Sequence, residues 1–205
     1  MIHLIYSNIS GAEEGIFRAL YEKASPERKS RADRFRGRED ALRCVTADGL
    51  LRYALGTERY RVEQAPGEKP FLLDRPDFHF NISHSGPWVV MAWGNSPVGV
   101  DVEQVRPDTD VRKLAARFFA PEEESYVRAV PRESRDRFFE IWTGKESYLK
   151  YLGTGLKRDL RSFSVLSPQQ GVRFLRQKLP DGCWLTLCTE EADMEVTALD
   201  LSRLV

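Results

Sequence analysis

The chain has 205 residues, with 31 basic and 31 acidic side chains, zero net charge and 41% hydrophobic residues. This length allows one to two domains with a sizeable core, and the apolar content excludes a disordered chain. Balanced charge argues against general electrostatic capture of nucleic acid or anionic membrane, and no apolar run is long enough for a membrane-spanning helix.

In chain order, residues 2–6 (IHLIY) predict a short strand and residues 11–23 a helix. The opening MIHLIYSNIS has no basic flank or long apolar run, so no secretory signal is expected. Ser25-Pro26-Glu27 reads as a helix start, with Ser as N-cap and Pro at the first position. From there to about Leu55 the chain reads as helical and very basic, closing on Gly56. HFNIS (79–83) and WVVMAWG (88–94) read as strands joined by SHSGP as a turn. PVGVDVEQV (97–105) is a further strand. Helices are expected at about 110–118, from Pro121, and from about Ser134 to Leu152, the last ending at Gly153. SFSVL, VRFLR, CWLTLCT and EVTALDL read as strands. A loose echo, RADRF…ALG against RDRFF…YLG, suggests two similar halves. Cys44, Cys183 and Cys188 form no Cys-x-x-Cys pair, which points to a reducing cytoplasm rather than a disulfide or zinc framework.

Three constellations carry chemistry. In the strand around Gly99, Val98, Val100 and Val102 share one face, and Gly99, Asp101 and Glu103 the other. Two adjacent carboxylates repel unless protons or a cation neutralise them, and hard oxygen donors suit magnesium. A solvated strand face is the plain alternative. Within Phe138–Leu152, Trp142, Glu146 and Lys150 are spaced i, i+4, i+8, so Glu146 lies beside an apolar stripe and needs a partner. A local ion-pair network with Lys145 and Lys150 is the alternative. Ser83-His84-Ser85 suits anion binding better than nucleophilic catalysis, because neighbours in extended chain point to opposite sides. A turn with local hydrogen bonds explains it equally. Lys69 and the basic stretch Arg28–Arg43 are further phosphate candidates, or simply solvated charge.

These segments together resemble the Sfp-type 4′-phosphopantetheinyl transferases. The resemblance rests on FNISHSGPWVVMAW (80–93), PVGVDVEQV (97–105), RFFAPEE (117–123) and WTGKESYLKYLGTGL (142–156). SPERKSRADRF, EDALRCVTADGLLRYAL and GEKPFL support it, so that it spans most of residues 25–165. It implies an α+β fold of two similar halves, 1–96 and 97–205, related by a pseudo-twofold, each a small mostly antiparallel sheet packed with helices. The activity implied is transfer of the phosphopantetheine arm of coenzyme A to a serine of an apo acyl or peptidyl carrier protein, with release of 3′,5′-ADP. Asp101, Glu103 and Glu146 would hold Mg2+, or Mn2+ in its place. Glu146, or a metal-coordinated water beside it, would act as general base. Lys145 and Lys150 would meet pyrophosphate or developing charge. Lys69, Ser83 and His84 would bind coenzyme A phosphates, and Arg28, Arg31 and Arg43 would lie near its 3′-phosphate. The carrier would dock near residues 113–127 and the segment after Gly153. A cytoplasmic monomer without nucleic-acid or membrane partners is the matching expectation. Cys44 and Ala120 depart from the hydroxyl residues usual at those positions, and Gly144 weakens its helix. Two other readings stand beside it: a Mg-dependent hydrolase of a nucleotide phosphoanhydride, which shares the acidic residues, and a non-catalytic coenzyme A-binding module, against which the intact acidic residues argue.

Overall fold

The computed structural model describes residues 1–155, 158–167 and 171–205; Leu156, the last residue of the 142–156 motif, lies outside the described residues. Helix ends follow the local chemistry. Ser25 caps α2 (Pro26–Ala32) by accepting from the Arg28 N–H, with Pro26 in the first turn. The basic region is not one helix: α3 (Arg38–Leu55) starts afresh after Gly37, with Glu39 and Asp40 in its first turn. α3 and α6 (Ser134–Leu152) each end on a left-handed glycine, Gly56 at φ 64° and Gly153 at φ 71°. α1 spans Glu14–Lys23, α4 Val111–Phe118 and α5 Pro121–Ala129.

The strands are β1 (Ile2–Asn8), β2 (Val62–Glu63), β3 (Phe71–Leu72), β4 (His79–Ser85), β5 (Trp88–Gly94), β6 (Val98–Glu103), β7 (Arg173–Lys178), β8 (Trp184–Thr189) and β9 (Met194–Ala198). SHSGP is not all turn: Ser83, His84 and Ser85 stay in β4, and Gly86-Pro87 alone reverses the chain. SFSVL forms no strand. Its backbone groups are used by side chains instead, with Phe163 O accepting from Lys145 and Val165 N–H donating to Glu123.

One sheet has the order β4-β5-β1-β9 and another β6-β8-β7; β2 and β3 form a separate pair. All pairs are antiparallel except β1 with β9. The halves repeat one plan: a strand, three helices, then a hairpin whose second strand pairs with the first strand of the half. The repeat ends at β9, which returns to β1, while Leu204 packs beside Gly49 of α3. The result is an α+β fold of small, mostly antiparallel sheets packed with helices. Ile2, Leu4, Val90, Val98, Val100, Val102, Leu185 and Leu187 fill the core shared by both sheets. Ile5, Val45, Leu50, Val89 and Met91 build the core under α3. Phe119, Phe138, Phe139 and Ile141 build the core among α4–α6.

Candidate active site

Val98, Val100 and Val102 point into the shared core, as their alternation predicts. The opposite face of β6 is not the solvated strand face that was the plain alternative. Instead α6 lies across it. A Cβ at Gly99 would overlap the Ser147 carbonyl oxygen and the Tyr151 backbone nitrogen. The missing side chain thus admits a helix backbone rather than a ligand, and the helix brings Glu146 and Lys150 to Asp101 and Glu103.

The other flank of β6 is β4, joined by side chains instead of a main-chain ladder. Asn81 Oδ1 accepts from Val100 N–H at 2.9 Å, Ser83 Oγ from Val102 N–H at 3.4 Å, and Ser85 Oγ from Gln104 N–H at 3.1 Å. The two hydroxyls also donate to the acids: Ser83 to Asp101 Oδ1 and Ser85 to Glu103 Oε2, both at 2.8 Å. Sequence reasoning missed Asn81 and read Ser85 only as an anion binder, whereas here both tie β4 to β6. The signal was their period of two with Ser83, which puts all three on one face.

Lys150 Nζ donates to Asp101 Oδ1 at 2.6 Å and to Ser83 Oγ at 3.1 Å. Asp101 is 4% exposed, and its Oδ2 is buried with no partner. Desolvation, then the Asp101 charge, pushes the Glu146 carboxyl up to about 7; Lys150 partly opposes this. Burial and Asp101 also raise Glu103, against the Ser85 hydrogen bond. Like charges therefore crowd three carboxyl groups around one lysine. In kind, these groups fit a small hard cation: all are oxygen donors, they repel one another, and one buried oxygen is orphaned. In arrangement, no group of three or more His, Cys, Asp or Glu side chains among the described residues is set to hold a metal ion. Lys150 and the two serines engage Asp101 Oδ1 and Glu103 Oε2, which leaves Asp101 Oδ2 as the oxygen without a partner.

The remaining predicted residues are dispersed. Lys145 is not brought to the cluster. It is fully buried, with Nζ 2.6 Å from Glu123 Oε2 and 2.7 Å from each of Leu160 O and Phe163 O. Burial pushes its ammonium down while Glu123 opposes this. The reason is helical phase: Lys145 is four residues from both Ile141 and Leu149 and so lies on the apolar stripe. Glu123 also takes over the cap missing at Ala120, whose N–H donates to its Oε2 at 2.9 Å. Gly144 gives Val165 room to pack.

Lys69 reaches across to β6, donating to Val98 O at 2.7 Å, and desolvation holds its ammonium at about 8. It lines an open cavity of about 670 Å3 with Gly153, Thr154 and Arg158. Ser83 is engaged with Asp101 and Lys150 rather than free for phosphate. His84 is exposed at the end of β4; desolvation, then the charges of Arg43 and Lys150, hold its imidazole below the usual range. Arg43 donates to Gly86 O at 2.6 Å and to Asp40 at 2.7 Å. Arg28 and Arg31 line a second cavity, of about 440 Å3.

Residues 97–198 match the family model described as the 4′-phosphopantetheinyl transferase superfamily. A 4′-phosphopantetheinyl transferase of Bacillus subtilis is 36% identical over 197 residues, 91% of this chain and 83% of the relative. The 4′-phosphopantetheinyl transferase Sfp of Bacillus subtilis (strain 168) is 40% identical over 154 residues, 72% of this chain and 68% of the relative. The 4′-phosphopantetheinyl transferase gsp of Aneurinibacillus migulanus is 33% identical over 177 residues, 80% and 71% respectively. No described helix is long and apolar enough to cross a membrane. On this likeness over most of its length, the chain belongs to the 4′-phosphopantetheinyl transferase superfamily and is a transferase enzyme.

Proposed function

We propose that the chain moves 4′-phosphopantetheine from coenzyme A to a serine of an apo acyl or peptidyl carrier protein, releasing 3′,5′-ADP, with Mg2+ or Mn2+ held by Asp101, Glu103 and Glu146. One observation carries the reading: α6, seated on Gly99, faces Glu146 and Lys150 toward two strand carboxylates, one with an orphaned buried oxygen. A bound cation would neutralise charge on the pyrophosphate.

The chain's own residues then have definable tasks. Ser83 and Ser85 orient the two strand carboxylates. Lys150 supplies a fixed positive charge where negative charge develops on the leaving group. Glu146, or a water beside it, takes the proton of the carrier serine. Lys69 and His84 contact coenzyme A phosphates, and Arg28 and Arg31 take its 3′-phosphate. Arg43 stands at the Gly86 turn beside them. Lys145 is left out of this set. The N-terminal half, 1–96, supplies most coenzyme A contacts. The C-terminal half, 97–205, supplies the metal ligands and the carrier docking surface near residues 113–127 and after Gly153. Both halves lie in one chain, which supports a monomer. Three free, buried cysteines support a reducing cytoplasm.

The test is intact-protein mass spectrometry of a purified apo carrier incubated with the chain, coenzyme A and magnesium. The expected result is a gain of one phosphopantetheine, abolished by EDTA. No gain on carriers from fatty-acid, polyketide and nonribosomal peptide synthesis overturns the reading. Nucleotide or phosphate release without a carrier points to a hydrolase.

A further inference from the structure

The cavity of about 440 Å3 at the N-terminus of α2 is lined by Arg28, Arg31 and Arg61 against Glu27 and Glu63, with Tyr60 at its edge. Behind it lies a fully buried carboxylate, Asp48 of α3. Asp48 Oδ2 accepts from Arg52 Nε at 3.1 Å. Its Oδ1 accepts the Tyr60 hydroxyl. Arg28 Nε stands 3.9 Å from that same Oδ1, ion-pair range but too long for a hydrogen bond. Among the described residues, no side-chain hydrogen bond engages the Arg28 guanidinium, and Asp48 is the carboxylate within ion-pair range of it. Its backbone is fixed, since its N–H donates to the Ser25 cap.

We propose that Tyr60 and Asp48 are positioning residues: together they hold the Arg28 guanidinium at the edge of this cavity, open to the 3′-phosphate of coenzyme A. This rests on the proposed function, which supplies the ligand. Asp48 attracts Arg28 and fixes its side chain. Tyr60 occupies the oxygen that Arg28 would otherwise claim, so the guanidinium stops short of a closed ion pair. One carboxylate between two guanidinium groups leaves an excess positive charge, and an incoming phosphate finds donors already aimed. Burial and the Asp48 charge raise the Tyr60 phenol, so it stays protonated and keeps donating at any working pH. Neither Tyr60 nor Asp48 touches the phosphate in this role.

Titration calorimetry with coenzyme A and with 3′-dephospho-coenzyme A tests this without a carrier. The native chain is expected to bind coenzyme A about tenfold to a hundredfold more tightly than the dephospho form, as charge-assisted bonds to one phosphate allow. Tyr60→Phe frees Asp48 Oδ1, lets Arg28 close onto it, and lowers that ratio roughly three- to tenfold. Asp48→Asn, which releases Arg28, also lowers it. A merely structural role would weaken both ligands together and leave the ratio unchanged in folded Tyr60→Phe; that result overturns the proposal. A native ratio near one overturns the 3′-phosphate assignment of the cavity. Failure of phosphopantetheine transfer to any carrier is a separate result and sinks the proposed function instead.

Discussion

In the N-terminal half, α3 meets its sheet through apolar side chains, with Leu42 and Val45 in one cluster with Ile5, Val89 and Met91. In the C-terminal half, α6 meets β6 across the bare backbone of Gly99, and Asp101, Glu146 and Lys150 gather where the other half has hydrocarbon. The same plan of strand, helices and hairpin thus serves a core in one half and a charged site in the other. A second contrast sits on the long helices. Asp48 lies eight residues before the capping Gly56, and Lys145 eight before Gly153. Each is fully buried and faces an opposite charge on the third residue of the preceding helix: Arg28 of α2 at 3.9 Å, Glu123 of α5 at 2.6 Å. The signs are exchanged between the halves. The closed pair clamps the segment after α6, whereas the loose pair borders a cavity. A buried charge at this position secures two helices in either case, and only its tightness separates structure from availability.

The closed pair gives the largest expected effect. Lys145→Met leaves Glu123 buried and unpaired, at a cost of about 3–5 kcal/mol in denaturant unfolding. Adding Glu123→Gln, which removes the charge but keeps an acceptor for the Ala120 and Val165 N–H groups, should restore part of that loss. If the single variant unfolds like the native chain, the pair is not the clamp described. Next, Asp101→Asn should lower the transfer rate about 10²–10³-fold with unfolding little changed, because the proposed function gives this carboxylate to the cation. Near-native turnover in the folded variant would remove Asp101 from the site. Gly99→Ala forces α6 away from β6 and should cost about 1–3 kcal/mol together with activity. The matched variant Ile5→Ala, in the N-terminal half, should cost about 2–5 kcal/mol yet keep the turnover number at saturating substrates, since it only opens a cavity. If both variants lost turnover alike, the contrast between the halves would fail.

The smallest effect concerns Lys69, which links the two halves through Val98 O. Desolvation lowers its ammonium from 10.5 to about 8. The folded state therefore disfavours the charged form, so a stability penalty is present below pH 8 and is relieved as pH rises from 8 toward 10.5. Lys69→Met should show a smaller gain, or a larger loss, than the native chain between pH 7.5 and 10 in urea midpoints. Parallel pH curves for the two proteins would remove the desolvated lysine from the account.

Much of this was legible locally. Ser25 with Pro26, and Gly56 and Gly153, mark helix ends because capping and left-handed φ depend on a few neighbouring atoms. The alternation from Val98 to Glu103 sets Asp101 and Glu103 on one face for the same reason, and i, i+4 spacing aligns Glu146 with Lys150. The basic stretch misled: its charges suggested one helix, while Gly37 splits it. SFSVL looked like a strand, but Lys145 and Glu123 claim its backbone groups from elsewhere in the fold.

By itself, then, the sequence determined most of the elements, the facing of their residues and the family likeness, all of which depend on short-range geometry and on residues read in order. Only the tertiary structure decided what covers the acidic face of β6, which of two nearby lysines meets Asp101, and that Asn81, Ser83 and Ser85 stitch β4 to β6. Those outcomes depend on how close two backbones come and on which desolvated charge finds a partner. They are settled by atoms far apart in the chain: Gly99 against Ser147, Lys150 against Asp101, and Lys145 against Glu123.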